Sequence, residues 1–172
     1  MIRFRLPVLV LALVLLAGCG FHLRNRIALP SDLGPVRVVG ASTSYSALVT
    51  SLSRGLQAAG ATLAAPPGED AATAEDAQVA TLRIMSERWG DLPIAVDQFG
   101  RAQEFSLRYA VVFAFTKADG TDLVPQQVVE LSRDYVSPPQ DATGTTTERE
   151  VLAEELRREM AASILRRVDG VV

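Results

Sequence analysis

The chain has 172 residues, with 17 basic and 20 acidic side chains, one cysteine, one histidine and a formal net charge of −3. This length suffices for one domain with a substantial core but is short for two. The acidic balance argues against a nucleic-acid binder, which needs a broad basic face, and one histidine cannot build a histidine-rich metal site.

The N-terminus has the pattern of a lipoprotein signal. Two arginines lie within residues 1–5, residues 6–15 are almost all apolar, and Leu16, Ala17 and Gly18 lead into Cys19. We expect cleavage between Gly18 and Cys19, removal of residues 1–18 and attachment of a diacylglyceryl group and an N-acyl chain to Cys19. About ten apolar residues are too few to remain as a membrane span. The alternative is an ordinary signal peptide followed by a fortuitous cysteine.

Cys19 is the only cysteine, so no disulfide can form within the chain. Without residues 1–18 the chain keeps 154 residues, with 15 basic against 20 acidic side chains and a net charge of −5. Gly20 stands where bacterial lipoproteins retained at the inner membrane carry aspartate. The pattern therefore favours a lipid anchor on the periplasmic side of the outer membrane.

Residues 19–35 are expected to form a lipidated tether, and residues 36–172 a single domain. A short strand is predicted over residues 36–40, and residues 42–44, Ser-Thr-Ser, offer N-caps for a helix. That helix has leucines at positions 48, 52 and 56 and ends at Gly60. Residues 64–77 combine alanine, proline and acid, which predicts a mobile loop. Their acids lack the spacing of a calcium loop.

The middle of the chain alternates apolar and polar residues. A strand is predicted from Val79 to Trp89, with Pro93 breaking its regularity and a turn at residues 98–101. From Phe105 to Phe115 every second residue is apolar or aromatic. An Asp-Gly pair at residues 119–120 predicts a hairpin to a third strand with Val129, Leu131 and Tyr135 on one face. The sequence thus predicts a three-stranded antiparallel meander.

After a loop over residues 137–144, Thr147 and Glu150 match a capping box. The helix that follows repeats an apolar residue at every fourth position: Leu152, Leu156, Met160, Ile164 and Val168. Its charged residues are expected to form a solvated face. The predicted fold is α+β: a two-layer sandwich with an approximately four-stranded, mostly antiparallel sheet and two helices packed on one face.

No catalytic constellation is present in the sequence. A histidine base, a glycine-rich phosphate loop after a strand and a metal-ligand spacing are all missing, and Cys19 is expected to be acylated. We expect a protein that is not an enzyme, with no catalytic residue, metal or cofactor other than its covalent lipid.

Three fragments resemble the LptE family of outer-membrane lipoproteins. The first is Cys19-Gly20-Phe21-His22-Leu23-Arg24, although Asn25 stands where the family often has glycine. The second comprises Gly100, Arg101, Ala102, Glu104, Phe105, Leu107, Arg108 and Tyr109. The third is Arg133 with Tyr135. The likeness covers nearly all of the chain after the signal.

The resemblance implies a heterodimer with the β-barrel LptD. The domain would lie inside the barrel lumen as a plug, support barrel assembly and contact lipopolysaccharide during its delivery to the cell surface. Arg101 is the first expected lipopolysaccharide contact, because a guanidinium can bind two phosphate oxygens. Arg108 is a second, with a salt bridge to the neighbouring strand as its alternative. Phe99 either contacts lipid or barrel, or packs on its own hairpin.

The chain also departs from the family in a second place. The loop over residues 138–147 has no basic residue, which leaves a two-cation lipid clamp in doubt. Two other functions remain open: a free-standing lipoprotein that binds a small apolar ligand between sheet and helices, and an assembly lipoprotein for another outer-membrane pore. Apolar residues such as Phe113 and Met160 are expected to fill the space that such a ligand would need.

Overall fold

The computed structural model describes residues 29, 33–41, 46–65, 78–137 and 142–170. The expected signal, Cys19, residues 42–44 and most of the 64–77 loop lie outside these residues. Six elements follow one another: β1 (Val36–Val39), α1 (Ala47–Ala58), β2 (Ala80–Val96), β3 (Ala102–Thr116), β4 (Asp122–Val136) and α2 (Ala142–Asp169).

The strands form one sheet in the order β1-β2-β3-β4. β1 runs parallel to β2, and β2, β3 and β4 form an antiparallel meander in which Tyr109 on β3 lies between Trp89 on β2 and Leu131 on β4. The predicted α+β fold with a mostly antiparallel sheet is confirmed. Both turns of the meander contain a glycine with positive φ, Gly100 at 77° and Gly120 at 83°.

The core lies between the sheet and the two helices. Alternate residues of β3 are buried on that side, as their period of two predicts. They are Leu107, Tyr109, Val111, Phe113 and Phe115. Four residues of the predicted α2 stripe, Leu156, Met160, Ile164 and Val168, have no exposed surface, and neither do the three predicted leucines of α1. Each such side chain contributes about 1.5 to 3 kcal/mol on burial.

α1 begins one residue after Ser46, whose hydroxyl accepts the Val49 N–H at 3.1 Å. Ser46 is thus the N-cap, and the prediction of a cap among residues 42–44 is wrong. At the other end Gly60 has a φ of 95°, and the N–H of Ala61 reaches the Leu56 carbonyl at 3.0 Å. This six-to-one bond ends the helix as the sequence predicts, because glycine adopts positive φ without strain.

α2 begins at Ala142, five residues before the predicted capping box. Thr147 therefore lies within the helix, and both the capping box and the loop prediction for residues 142–144 are wrong. A tertiary contact connects the early part of α2 to the sheet. Arg149, in the second turn, forms an ion pair with Asp91 on β2 at 2.7 Å.

β2 continues past Trp89 and Pro93 to Val96, so the strand is longer than predicted, and the irregularity predicted at Pro93 is confirmed by a register shift between Pro93 and Ala95. β1 pairs with β2 only as far as Arg83, and beyond it β2 is an edge strand on that side. A missing N–H is tolerated on an edge strand. A bulge between Ile84 and Ser86 also shifts the alternation of β2 by one residue. Glu87, Trp89 and Asp91 consequently lie on the helix side of the sheet.

The free edge of β4 is partly covered by arginines. Arg167 on α2 donates to the Val128 carbonyl at 3.1 Å, and Arg133 donates to the Ser132 carbonyl at 2.9 Å. These two carbonyls are four residues apart and therefore point to the same side of the strand. Open carbonyls on an edge strand are sites for pairing with another chain, and here side chains occupy two of them.

Candidate functional site

The turn between β2 and β3 carries two of the residues that the sequence selects, Phe99 and Arg101. Asp97 N–H donates to the Arg101 carbonyl at 2.9 Å, and Gly100 N–H donates to the Asp97 carbonyl at 3.0 Å. Gly100 adopts the positive φ that lets the chain reverse within five residues. The turn holds Phe99 and Arg101 close together at the tip of the longest hairpin.

The Asp97 carboxylate organises this turn. Its Oδ1 accepts the backbone N–H groups of Phe99 at 2.8 Å and Arg101 at 2.9 Å, and its Oδ2 accepts Arg101 Nε at 2.7 Å. The Arg101 backbone N–H, with smaller contributions from the Arg101 guanidinium and the Phe99 N–H, lowers the pKa of Asp97 despite opposing desolvation. Asp97 is therefore ionised at neutral pH and fixes the direction of the arginine.

Arg101 keeps binding capacity after this pairing. Its side chain is 55% exposed, and its guanidinium carbon lies 5.3 Å from the centre of the Phe99 ring. From the guanidinium, Asp97 accepts a hydrogen bond only from Nε, and no described residue accepts one from the two terminal nitrogens. Those nitrogens form a fork that suits two oxygens of one phosphate or carboxylate. The Phe99 ring lies beside the cation and is 72% exposed, so it packs only lightly on its own hairpin.

Exposed apolar side chains surround the turn. On the projecting part of the hairpin and the adjoining end of β4 these are Leu92, Ile94, Val96 and Val136, each between 44% and 63% exposed. Clustered exposed apolar residues mark surfaces that contact protein or lipid. A cation with free donors beside such a cluster is suited to a ligand that has both an anionic group and an apolar part.

Arg108 lies elsewhere. It is on the sheet face that points away from the helices and pairs with Glu130 on β4 at 3.5 Å, with both side chains about half exposed. The cross-strand salt bridge that the sequence left open is thus present. Seven residues at about 3.3 Å each separate Arg108 from Arg101 by roughly 23 Å along the strand. The two arginines cannot hold one phosphate together.

The first basic residue of α2 is already engaged. Arg149 is the first basic residue after the 138–147 segment. Its Nε donates a hydrogen bond to Asp91 Oδ1 at 2.9 Å, and its Nη2 donates to Asp91 Oδ2 at 2.7 Å. Tyr135 donates its hydroxyl to the same carboxylate at 3.0 Å. Arg149, and more weakly Tyr135, lower the pKa of Asp91 against the opposing effect of burial. Among the described residues Arg149 is therefore not free to join Arg101 in a two-cation clamp.

Sequence reasoning missed a polar cluster on the helix side of the sheet. Trp89 stacks on Tyr109 with ring centroids 3.8 Å apart, and the Arg157 guanidinium lies 5.2 Å from the Trp89 ring. Tyr109 donates to Glu87 at 2.7 Å, and burial and Glu87 raise the pKa of its hydroxyl. Arg157 is thus not part of a simple solvated face. The bulge in β2 hides this arrangement from a strict period of two.

A half-open cleft of about 350 Å³ lies beside β1 and the end of α1, lined by residues that include Leu29, Leu33, Val36 and Ala61. It is at the edge of the domain and does not separate the sheet from α2. Within the described residues no group of three or more His, Cys, Asp or Glu side chains is placed to hold a metal ion. No described helix combines the length and apolar character needed to cross a membrane.

Comparison with known proteins gives consistent matches over most of the chain. The model of the family described as "LptE: Lipopolysaccharide-assembly" matches residues 33–168. A protein from Yersinia pestis named LPS-assembly lipoprotein LptE is 30% identical over 96% of this chain and 76% of its own length. Its namesake from Pectobacterium atrosepticum is 27% identical over 96% of this chain and 86% of its own.

The fold also occurs in a solved structure. The solution NMR structure of a protein titled uncharacterized lipoprotein B from Nitrosomonas europaea has a TM-score of 0.65, covering 87% of this chain and 90% of that one at 20% identity. At this identity the likeness concerns the fold alone.

The family match covers well over half of the chain and includes β1 to β4 and nearly all of α2. The chain belongs to the LptE family.

Proposed function

We propose that this chain is an outer-membrane lipoprotein that plugs the LptD β-barrel, supports the assembly of that barrel and contacts lipopolysaccharide on its way to the cell surface. Membership of the LptE family carries the proposal. In this role the chain fills a pore and binds a lipid, and it catalyses no reaction. The chain would form a heterodimer with LptD and lie in the barrel lumen, anchored from the periplasmic side.

The proposed organisation has three parts. Residues 1–18 are a cleaved signal peptide, residues 19–35 a tether whose Cys19 carries the lipid, and residues 36–172 one domain. The relatives from Yersinia and Pectobacterium are named lipoproteins, which supports the lipid on Cys19. One acyl chain holds only marginally, so two or three chains are needed for a lasting anchor.

Lipopolysaccharide would bind at the turn over residues 97–101. A phosphate would accept hydrogen bonds from the terminal nitrogens of Arg101, and Phe99 and the neighbouring apolar side chains would meet the acyl part. Asp97 prepares this site because it fixes the guanidinium before the ligand arrives. Arg108 is proposed as a separate and weaker contact, because Glu130 already neutralises part of its charge.

The packing of the domain favours a plug over a carrier of a small apolar ligand. Between the sheet and the helices, Tyr109, Phe113, Phe115, Leu156 and Met160 are fully buried and fill the space that such a ligand would occupy. The described cleft lies at the margin, beside β1. A filled, rigid core suits a domain that must hold its shape inside another protein.

Co-purification tests the proposal. The full chain with a C-terminal affinity tag is expressed in its host, outer membranes are solubilised in mild detergent, and the eluate is analysed by native mass spectrometry. We expect one LptD barrel per chain, with lipopolysaccharide in the complex. Recovery with only a small apolar lipid would support the carrier, and recovery with a different barrel would support another pore. Another outer-membrane lipoprotein with the same tag controls for non-specific capture.

A further inference from the structure

One face of the sheet is left without a covering layer by the described residues. This open face consists of the β3 residues that point away from the helices, together with their register neighbours on β2 and β4. The β3 residues are Arg108, Ala110, Val112 and Ala114, together with Ser106, which its neighbours leave only 7% exposed. Four of these five have small side chains, so another surface can approach the middle of the open face closely.

Charge is distributed unevenly across the open face. On this face β2 carries Arg83 and Arg88, because the intervening Glu87 points to the helix side. On the same face β4 carries Glu130 and Asp134. Ala110 separates Arg88 from Glu130 in the register. Two strand spacings of about 4.8 Å place their Cα atoms near 10 Å apart, and the two side chains do not form an ion pair. Glu130 instead forms an ion pair with Arg108 of the same face, at 3.5 Å.

The arginines of the opposite side are satisfied within the chain. Arg133 bonds Glu159 at 2.6 Å, Arg149 bonds Asp91 at 2.7 Å, and Arg167 bonds Gln127 at 2.8 Å. By contrast, neither Arg83 nor Arg88 has an ion pair or hydrogen bond from its guanidinium to any residue within the described ranges. The two strand arginines without a partner among the described residues are therefore both on the open face.

We infer that the open face docks against the inner wall of the partner barrel, with acidic side chains of that wall opposite Arg83 and Arg88. The inference rests on the proposed function, because it names the surface through which the plug contacts its barrel. The wall of an outer-membrane barrel lumen is polar, so it can present carboxylates to the two arginines. Complementary charges select the orientation in which the domain enters the lumen.

Charge reversal of the two arginines tests this inference. The full chain carrying Arg83→Glu and Arg88→Glu is compared with the wild type and with a matched control, Arg54→Glu and Arg166→Glu. The control arginines are exposed on the two helices and also lack a described guanidinium partner. Co-purified barrel is quantified per tagged chain at low and moderate salt, and circular dichroism checks that each variant is folded.

We expect the open-face variant to retain at least tenfold less barrel than the wild type, and the control to stay within twofold of it. Full retention by the open-face variant, or equal loss in the control, would overturn the inference and leave the plug function standing. A wild-type chain that recovers no barrel would instead refute the proposed function. A wild-type homodimer that the open-face substitutions dissociate would also overturn the inference, because a second copy would then occupy the face.

Discussion

Asp91 on β2 and Arg149 on α2 form a bidentate ion pair across 58 residues of sequence, with Nε at 2.9 Å and Nη2 at 2.7 Å from the carboxylate oxygens. Tyr135 on β4 donates to the same carboxylate at 3.0 Å. The pair therefore connects β2, β4 and the second turn of α2 next to the projecting hairpin. It replaces the local cap that the sequence led us to expect at Thr147.

This pair predicts a pH-dependent contribution to stability. Hydrogen bonding to Arg149 lowers the pKa of Asp91 in the folded state, and an unfolded aspartate titrates near 3.9. The contribution is thus fully present above about pH 5 and is lost as the pH falls through the lower, folded pKa. In urea unfolding, Asp91→Asn should reduce the free energy of unfolding at pH 7 and reduce it less at pH 3. An equal reduction at both pH values would contradict this assignment.

The arginines on the β4 edge predict a second effect. Arg133→Ala with Arg167→Ala frees the carbonyls of Ser132 and Val128, which makes the edge available for strand pairing. We expect the double variant to self-associate in a concentration-dependent way in analytical ultracentrifugation, with slowed amide exchange along β4. Arg158→Ala with Arg166→Ala is the control, because neither side chain contacts β4. A monomeric double variant would show that these arginines do not protect the edge.

A third prediction concerns the contact between the helices. A Cβ on Gly55 of α1 would lie 2.3 Å from Cδ1 of Leu165 on α2, so a larger residue at this position forces the Leu165 side chain to move. Gly55→Val should lower the free energy of unfolding by about 1 to 3 kcal/mol, the usual cost of overpacking a core. The double variant Gly55→Val with Leu165→Ala makes room and should recover part of the loss. If Gly55→Val unfolds like the wild type, the helices are not in this contact.

The strongly periodic elements could be predicted from the sequence. On β3, Leu107 to Phe115 alternate cleanly because one face meets the helices and the other does not, and the Asp-Gly turn at Gly120 has a simple steric basis. The stripe on α2 follows from the same kind of burial. In these segments local pattern and tertiary packing favour the same structure.

The errors arise where a tertiary contact decides the local structure. The bulge after Ile84 moves Glu87 and Asp91 to the helix side, and an isolated sequence gives no sign of the extra residue. The contact between Arg149 on α2 and Asp91 on a distant strand likewise has no local sequence signal. Arg101 could be selected from the family resemblance of its turn, whereas its pairing with Asp97 required the geometry of the folded turn.

The anchor gives a fourth prediction. Cys19→Ala removes the thiol that would be acylated, so the chain should no longer incorporate labelled palmitate and should leave the outer-membrane fraction. Acyl incorporation and membrane fractionation measure these two effects separately. A Cys19→Ala chain that is still acylated and still sediments with outer membranes would rule out lipid attachment at this residue.

The central claim is that the turn over residues 97–101 binds lipopolysaccharide, and the affinity of the full chain for lipopolysaccharide tests it most directly. Arg101→Gln removes the phosphate fork, whereas a glutamate would also repel Asp97 and disturb the turn. Losing a charge-assisted contact of about 1.5 to 3 kcal/mol should raise the Kd at least tenfold, with Arg101→Lys intermediate and Arg54→Gln within twofold of the wild type. Unchanged affinity of Arg101→Gln for lipopolysaccharide would contradict the claim.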